Sequence, residues 1–150
     1  MAVCYFDSSA LVKVLLNEPG SGLARSLWSG ADVPITSVLA YAEVRAALAM
    51  ASRLGRLADS DHTRAKAYWE RMWRSVSVVE ATVGVVERAG SLAEQHHLRG
   101  FDSIHLASAT VIPADLAIVA TWDRRLAGAA TAMGYVVAPA GDRGQSAADS

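Results

Sequence analysis

The sequence is poor in cysteine, in net charge and in long apolar runs, and each shortage excludes a class of protein. Among 150 residues there is one cysteine, Cys4, so no disulfide can form within the chain and a reducing compartment is favoured. We expect Cys4 to be a small buried residue. The formal net charge is -1, so electrostatics alone do not indicate a nucleic-acid-binding protein.

The apolar residues are distributed as in a compact globular protein rather than in a membrane protein. No apolar run approaches the roughly 20 residues that a membrane-spanning helix needs. The first stretch has no basic region and carries Asp7 and Lys13, so we expect no signal peptide, no membrane contact and a cytoplasmic location. With 52% hydrophobic and 19% charged residues, the chain is expected to form one domain over 1–139. Residues 140–150, rich in Gly, Ser, Ala and Asp, are expected to be a disordered tail.

Apolar periodicity predicts strands and helices in alternation, which is typical of an α/β domain around a mainly parallel sheet. The predicted strands are Val3–Phe6, Asp32–Thr36, Val76–Val79, Leu116–Ala120 and Tyr135–Ala138. The predicted helices are Ser8–Asn17, Ser21–Trp28, Ser37–Leu54, Asp59–Arg74, Thr82–His97, Asp102–Ala109 and Arg124–Met133. The second strand is weak because Pro34 interrupts it. Gly55 and Gly134 are expected to end helices, and Gly100 to break the chain before Asp102.

Two carboxylates follow apolar strands directly. Asp7 comes after Val3–Phe6, and Asp123 follows the fourth strand through Thr121-Trp122. Because parallel strands end at the same edge of a sheet, these two acids are expected to be neighbours. Asp102 opens a helix just before that fourth strand. Glu43 is the one charge on a stripe of small and apolar residues along the third helix, namely Leu39, Ala40, Ala46, Ala47, Met50 and Leu54.

Four converging carboxylates would repel one another unless cations occupied the site. Mg²⁺ and Mn²⁺ take oxygen ligands, and no Cys and His cluster at zinc spacing competes with that interpretation. Such ions commonly engage phosphate oxygens and activate water, which suits phosphodiester hydrolysis. The sequence therefore predicts a magnesium or manganese site formed by Asp7, Glu43, Asp102 and Asp123.

Each acid also has a structural explanation. Asp7, Asp102 and Asp123 could be helix N-caps, although Ser8 and Ser103 could fill that role instead. Glu43 could be a surface residue if the helical phase is wrong, since Tyr41, Val44 and Leu48 form a second apolar face. The joint pattern is stronger than any one member, because capping alone does not require two strands that both end in an acidic motif. Within this pattern Ser8 is the better candidate for the first cap.

With this pattern of acids, the chain resembles the PIN-domain nucleases, and within them the VapC-type toxin ribonucleases of bacterial toxin–antitoxin pairs. Four segments carry the resemblance, in the right order: Tyr5–Lys13, Ser37–Arg45, Leu98–Ala107 and Val119–Leu126. The resemblance implies a three-layer α/β/α fold with a roughly five-stranded sheet, and the same four acids as the Mg²⁺ or Mn²⁺ site. Ser9 and Thr121 match positions that assist the acids. It also implies endonucleolytic RNA cleavage by metal-activated water, a homodimer, and neutralisation by a cognate antitoxin.

Other readings of the residues remain open. Arg99, Arg124 and Arg125 flank the acids and are candidate contacts for substrate phosphates, or simply solvated cations. His105 is interpreted as packed or partly exposed rather than as part of the site, and Trp122 as core rather than as a base-stacking residue. An aspartyl-nucleophile phosphatase would need a second acid at position 9, which is Ser. A non-catalytic α/β binding or regulatory module, with acids that only cap helices, is consistent with the low net charge.

Overall fold

The computed structural model describes residues 1–141, and within them the chain forms five strands, with one or two helices between each strand and the next and seven helices in all. The strands are β1 Val3–Phe6, β2 Val33–Ser37, β3 Ser77–Val79, β4 Ala117–Ala120 and β5 Val136–Ala138. The helices are α1 Ser8–Leu15, α2 Ser21–Gly30, α3 Ala40–Arg53, α4 Asp59–Ser75, α5 Val83–His96, α6 Gly100–Ala109 and α7 Arg124–Ala132. The predicted order of elements is confirmed, with ends that differ by a few residues.

All strand pairs are parallel, in the order β3-β2-β1-β4-β5. The chain builds the sheet outward from β1 to β3, then returns to add β4 and β5 on the other side. The order therefore reverses between β1 and β4, and in such sheets ligands bind in the crevice beyond the carboxyl ends at this reversal. Asp7 follows β1 there, and Asp123 follows β4. The predicted three-layer α/β/α architecture is confirmed.

Side chains alternate between the two faces of the sheet along each strand, and helices cover both faces, so both are buried. On one face Tyr5 and Val119 pack with residues of α5, α6 and α7. On the other face Phe6 and Ala120 pack with residues of α1 to α4, including the fully buried Trp69. Cys4 is buried on this second face, as expected. No helix within residues 1–141 has both the length and the apolar character to cross a membrane.

The second strand is an interior strand although it contains Pro34. The N–H of Val33 donates toward β1, to the carbonyl of Ala2. Because successive N–H groups point to opposite sides of a strand, the missing N–H of Pro34 would face β3. Pairing with β3 begins one residue later, at Ile35. Pro34 therefore removes no ladder hydrogen bond, and the strand forms despite the local signal against it.

The third helix buries the face that the sequence analysis treated as secondary. Its buried residues are Ala40, Val44, Leu48 and Ala51, whereas Met50 and Leu54 are exposed. The predicted stripe was therefore wrong, as was the predicted start at Ser37, which ends β2. Glu43 lies beside the buried face and is half-buried. The predicted end is confirmed, because Gly55 adopts φ 71° just past the helix.

The turn before Asp102 is also formed differently from the prediction. The left-handed residue is His97, with φ 55°, and Gly100 is the first residue of α6 rather than a breaker. Asp102 thus lies inside the first turn, and no side chain caps this helix. At the other end of the chain, the predicted tail of 140–150 lies outside the described residues from position 142 onward.

A close approach of Trp122 to Gly20 gives the first prediction. Gly20 has φ 95°, and a Cβ there would lie 2.5 Å from Nε1 of Trp122. Gly55 also has a positive φ, but a Cβ there would meet nothing within 4 Å. In urea denaturation, Gly55→Ala should cost about 1–2 kcal/mol of backbone strain. Gly20→Ala should cost more and should alter the tryptophan fluorescence. Equal costs with unchanged fluorescence would contradict the close packing.

Candidate functional site

Three of the four predicted acids line one cavity. Glu43 comes from α3, Asp102 from the first turn of α6, and Asp123 from the residue that precedes α7. The cavity has a volume of about 400 Å³, and its other lining residues are Arg99, Gly100 and Phe101. Side chains far apart in the chain thus meet beyond the carboxyl edge of β1 and β4.

Asp7 lies behind this cavity rather than in its lining, with 4% of its surface exposed. It is the N-cap of α1: Oδ1 accepts hydrogen bonds from the Ala10 N–H at 3.0 Å and the Ser9 hydroxyl at 2.6 Å. Oδ2 accepts from the Thr121 hydroxyl at 2.5 Å. The expectation that Ser8 caps this helix was therefore wrong, because the Asp7 carboxylate reaches the third N–H of the turn itself.

Ser9 and Thr121 connect the ends of β1 and β4 through their hydroxyls. While donating to Asp7, Ser9 Oγ accepts from the Trp122 N–H at 2.9 Å. Thr121 Oγ1 in turn accepts from the Asp123 N–H at 3.0 Å. Asp123 is itself an N-cap, since its Oδ1 accepts from the Leu126 N–H at 2.8 Å. Capping and clustering are thus not alternatives for Asp7 and Asp123, because each carboxylate caps a helix at the shared sheet edge.

Glu43 is held by a hydrogen-bond network that the sequence analysis missed. Its Oε1 lies 2.7 Å from the Ser8 hydroxyl, which donates to it, and 2.7 Å from Nε2 of His105. The other ring nitrogen of His105, Nδ1, lies 2.8 Å from the Tyr5 hydroxyl. His105 is 2% exposed, so it is packed as expected, yet it also contacts the site. Its position three residues after Asp102, on the same helix face, was the available signal.

Tyr5 lies at the inner end of this network. Burial raises the pKa of the Tyr5 phenol well above its ordinary value, and the negative charges of Asp7 and Glu43 raise it further, so Tyr5 keeps its proton. The two ring nitrogens of His105 join the Tyr5 hydroxyl to the Glu43 carboxylate, so the buried phenol helps to fix the position of that carboxylate.

The surroundings of Asp7, Asp102 and Glu43 shift the pKa values of these acids in different directions. Burial raises the pKa of Asp7, more than the hydrogen bonds it accepts lower it. Burial also raises the pKa of Asp102, to which the negative charges of Asp123 and Asp7 add. For Glu43, burial again raises the pKa, but His105 and the Ser8 hydroxyl outweigh it, so the net pKa is lowered. The site therefore carries unfavourable negative charge that a nearby cation would offset.

The donor chemistry of the cavity suits a hard divalent cation. Within residues 1–141, no three His, Cys, Asp or Glu side chains are placed to hold one ion directly between them. Mg²⁺ commonly uses only one or two carboxylates and keeps several waters, so the shared cavity of Asp102, Asp123 and Glu43 still fits it. Asp7, with three hydrogen bonds already accepted, would act on the cation mainly through its charge.

The three candidate phosphate-binding arginines divide between two cavities. Arg99 lines the acidic cavity, next to the carboxylates. Arg124 and Arg125 do not; they line a second cavity of about 600 Å³ together with His96 and His97. The sequence analysis placed all three beside the acids, and of the three only Arg99 lines the acidic cavity.

Comparisons with known proteins give a matching family model and relatives of similar sequence. The PIN domain family model matches residues 4–131. Ribonuclease VapC45 of Mycobacterium tuberculosis (strain CDC 1551 / Oshkosh) is 49% identical over 140 residues, which are 93% of this chain and 97% of that protein.

Two solved structures show the same fold at low sequence identity. Mycobacterium tuberculosis VapC20, described as a sarcin-ricin loop cleaving toxin, has a TM-score of 0.62 at 20% identity, covering 89% of this chain and 96% of that one. A toxin–antitoxin complex from Klebsiella pneumoniae contains a chain with a TM-score of 0.58 at 17% identity, covering 83% of this chain and 91% of that one.

Replacement of Asp7 by Asn should stabilise the protein when no divalent cation is present. Asn also caps helices, and its amide NH₂ can donate to the second lone pair of the Thr121 hydroxyl in place of the hydrogen bond that Asp7 now accepts, so the change removes the buried charge while a contact to Thr121 remains. The pKa of Asp7 is higher in the folded than in the unfolded state. The destabilisation caused by its buried charge is therefore absent below the unfolded pKa of about 4, grows as the pH rises from there through the folded pKa, and is complete above it. We expect a gain on the order of 1 kcal/mol at neutral pH, or roughly 2–4 °C in Tm.

Thermal unfolding in chelator, at acidic and at neutral pH, measures this gain. Asp115→Asn is the matched control, since Asp115 is exposed and its replacement should change stability by no more than about 0.5 kcal/mol. A Tm for Asp7→Asn below that of the unmodified protein at neutral pH would show that the carboxylate stabilises the metal-free fold.

Proposed function

The chain belongs to the PIN domain family, and within it to the VapC-type proteins, and on this basis we propose that it is a divalent-metal-dependent endoribonuclease that acts as the toxin of a toxin–antitoxin pair. The observation that carries the proposal is the cavity where Glu43, Asp102 and Asp123 meet above the buried Asp7. The name of the 49% identical relative, a ribonuclease, supports the choice of RNA as substrate.

Mg²⁺ is the proposed cofactor, with Mn²⁺ as an alternative of similar ligand preference. Asp102 and Asp123 would hold the cation directly, and Glu43, in the same cavity, would bind it through one of the waters that Mg²⁺ keeps. When bound, such a cation lowers the pKa of water and neutralises charge that develops on a phosphate during hydrolysis. The raised pKa of Asp102 supports this assignment, since a cation would relieve the repulsion that causes it.

The remaining residues would orient the site. Asp7 accepts a hydrogen bond from the Thr121 hydroxyl, and that hydroxyl accepts one from the backbone N–H of Asp123. The buried carboxylate thereby fixes the position of Asp123, a proposed ligand of the cation. His105 and Ser8 hold Glu43 in one orientation as a carboxylate. Arg99, in the same cavity, is positioned to attract the phosphate of the substrate. From the resemblance to PIN-domain nucleases we also propose that cleavage leaves a 5′-phosphate and a 3′-hydroxyl.

The proposal includes a protein partner. A chain with this fold occurs in a toxin–antitoxin complex from Klebsiella pneumoniae, which supports a cognate antitoxin for this chain as well. The homodimer and the cytoplasmic location stay predictions.

Both alternative functions fit the site less well. In an aspartyl-nucleophile phosphatase, Asp7 would have to reach the substrate, but it is buried behind the cavity and both its oxygens accept hydrogen bonds. A non-catalytic module explains Asp7 and Asp123, which cap helices. It does not explain Glu43 and Asp102, which cap nothing and share a cavity with Asp123.

The enzymatic part of the proposal is tested by RNA cleavage with purified protein. Asp102→Asn and Asp123→Asn should each lower kcat/KM by at least about 100-fold, because each removes a charge that stabilises the transition state through the cation. Asp123→Asn keeps the helix cap, so its effect reports on charge rather than folding. Asp115→Asn should cleave normally. Chelator should abolish cleavage and Mg²⁺ or Mn²⁺ should restore it; cleavage that persists in excess chelator would refute the metal dependence.

The toxin part is tested in growing bacteria. Induced expression of the unmodified chain should arrest growth, whereas Asp102→Asn expressed to the same level should not. The Asp115→Asn control should arrest growth. Co-expression of a small protein encoded next to this gene should restore growth and should co-purify with the chain. Normal growth with an active ribonuclease would argue for an RNA-processing enzyme that is not a toxin.

A further inference from the structure

The two side chains that bind Glu43 contact the same oxygen of its carboxylate. The Ser8 hydroxyl and Nε2 of His105 each lie 2.7 Å from Oε1. The second oxygen, Oε2, forms no hydrogen bond with any group in residues 1–141. Because Glu43 also lines the acidic cavity, one oxygen of this carboxylate is held by the protein and the other is left for a ligand.

The contacts of Glu43 are fixed by the interior of the fold. His105 is buried, and its Nδ1 lies 2.8 Å from the hydroxyl of Tyr5, which is also buried. The two rings pack edge to face, with centroids 6.1 Å apart and an angle of 73° between their planes. Ser8 is the first residue of α1, directly after the buried cap Asp7. Neither contact can move without disturbing packed residues, so Glu43 is not free to follow a ligand.

The position in which Glu43 is held keeps it apart from the other two acids of the cavity. In the described part of the chain, Glu43 does not join Asp102 and Asp123 in a group that could hold one ion directly. A glutamate side chain has several staggered rotamers and could otherwise swing toward such an ion. The hydrogen bonds to Oε1 therefore limit how many carboxylates a cation in this cavity can contact.

Divalent cations differ in how many carboxylate oxygens they require. Mg²⁺ needs near-ideal octahedral geometry, keeps several waters and is commonly held by one or two carboxylates. Ca²⁺ takes roughly six to eight oxygen ligands in a flexible geometry and often uses both oxygens of a carboxylate. Two carboxylates with a third held at a distance are sufficient for Mg²⁺. They supply too few oxygens for Ca²⁺, unless Glu43 is released and contributes both of its own.

We propose that Ser8, His105 and Tyr5 determine the metal selectivity of the acidic cavity, because they keep Glu43 out of direct contact with the cation and so favour Mg²⁺ over Ca²⁺. Ser8 and His105 act on Glu43 itself. Tyr5 is a positioning residue that acts through His105. The inference rests on the proposed function, to which it adds the residues that choose the cofactor. Contacts of this outer kind orient metal-binding side chains in proteins generally.

Metal binding to the purified protein without RNA tests the inference. Free Mn²⁺, which has ligand preferences similar to those of Mg²⁺, is measured by its EPR signal, and Ca²⁺ affinity is obtained from displacement of Mn²⁺. The selectivity ratio is the Kd for Ca²⁺ divided by the Kd for Mn²⁺. Ser8→Ala and His105→Leu should each lower this ratio on the order of 10-fold, because a released Glu43 favours Ca²⁺. His105→Gln, whose amide can donate to Glu43, should restore most of the selectivity.

The role of Tyr5 is tested by combining substitutions. Tyr5→Phe removes only the hydroxyl and should lower the selectivity ratio by roughly 2- to 5-fold, as expected for one hydrogen bond. Added to His105→Leu, it should lower the ratio no further, because Tyr5 acts through His105. Tyr135→Phe is the matched control: Tyr135 is buried, and its hydroxyl donates to the Ile112 carbonyl at 2.6 Å, outside the cavity. This control should leave the ratio unchanged.

Three results would overturn the inference. They are an unchanged selectivity ratio in both Ser8→Ala and His105→Leu, an equal loss in Tyr135→Phe and Tyr5→Phe, and a further loss when Tyr5→Phe is added to His105→Leu. If His105→Leu does not fold, Ser8→Ala and Tyr5→Phe still decide the outcome against Tyr135→Phe. Failure of the unmodified protein to bind Mn²⁺ would refute the proposed metal site itself, whereas Mn²⁺ binding with the same ratio in every variant would refute only this inference.

Discussion

The site depends on one buried carboxylate, Asp7, and the hydroxyl groups that donate to it. Thr121 and Ser9 donate to its two oxygens, and each hydroxyl also accepts a backbone N–H from the segment after β4. The ends of β1 and β4, which are distant in sequence, are thereby fixed to one another at the point where the sheet order reverses. If Asp7 were apolar, both hydroxyls would lose a buried acceptor and the loop that carries Asp123 would lose its anchor.

The same arrangement concentrates negative charge at the expense of stability. Burial and mutual repulsion raise the pKa of Asp7 and of Asp102, which means that the folded protein tolerates these charges less well than the unfolded chain does. Glu43 is the exception, because His105 and Ser8 stabilise its charged form. A fold that keeps such a cluster of acids must obtain its stability elsewhere, and the two apolar layers around the sheet provide it.

Much of this could be predicted from sequence, because the strands are short apolar runs that end in acids or hydroxyl residues. The parallel sheet and the meeting of Asp7 with the end of β4 follow from that pattern. Glu43 was found from a helix stripe that proved wrong, and its half-buried position depends on its contacts with Ser8 of α1 and His105 of α6 rather than on its own periodicity. The contact of His105 with Tyr5 spans 100 residues in sequence, and local patterns carry no information on such a pairing. Ser8 and Asp7 were both capping candidates, and only the backbone geometry decides between them.

The two outer strands, β3 and β5, have three residues each. An edge strand of this length offers few free N–H and C=O groups, so another chain can add little hydrogen bonding to either side of the sheet. Association through continuous β-pairing, whether ordered or as an aggregate, is therefore disfavoured in this molecule. Any stable assembly of two copies would have to be built from helix surfaces, which leaves the sheet and the carboxyl edge that it presents undisturbed.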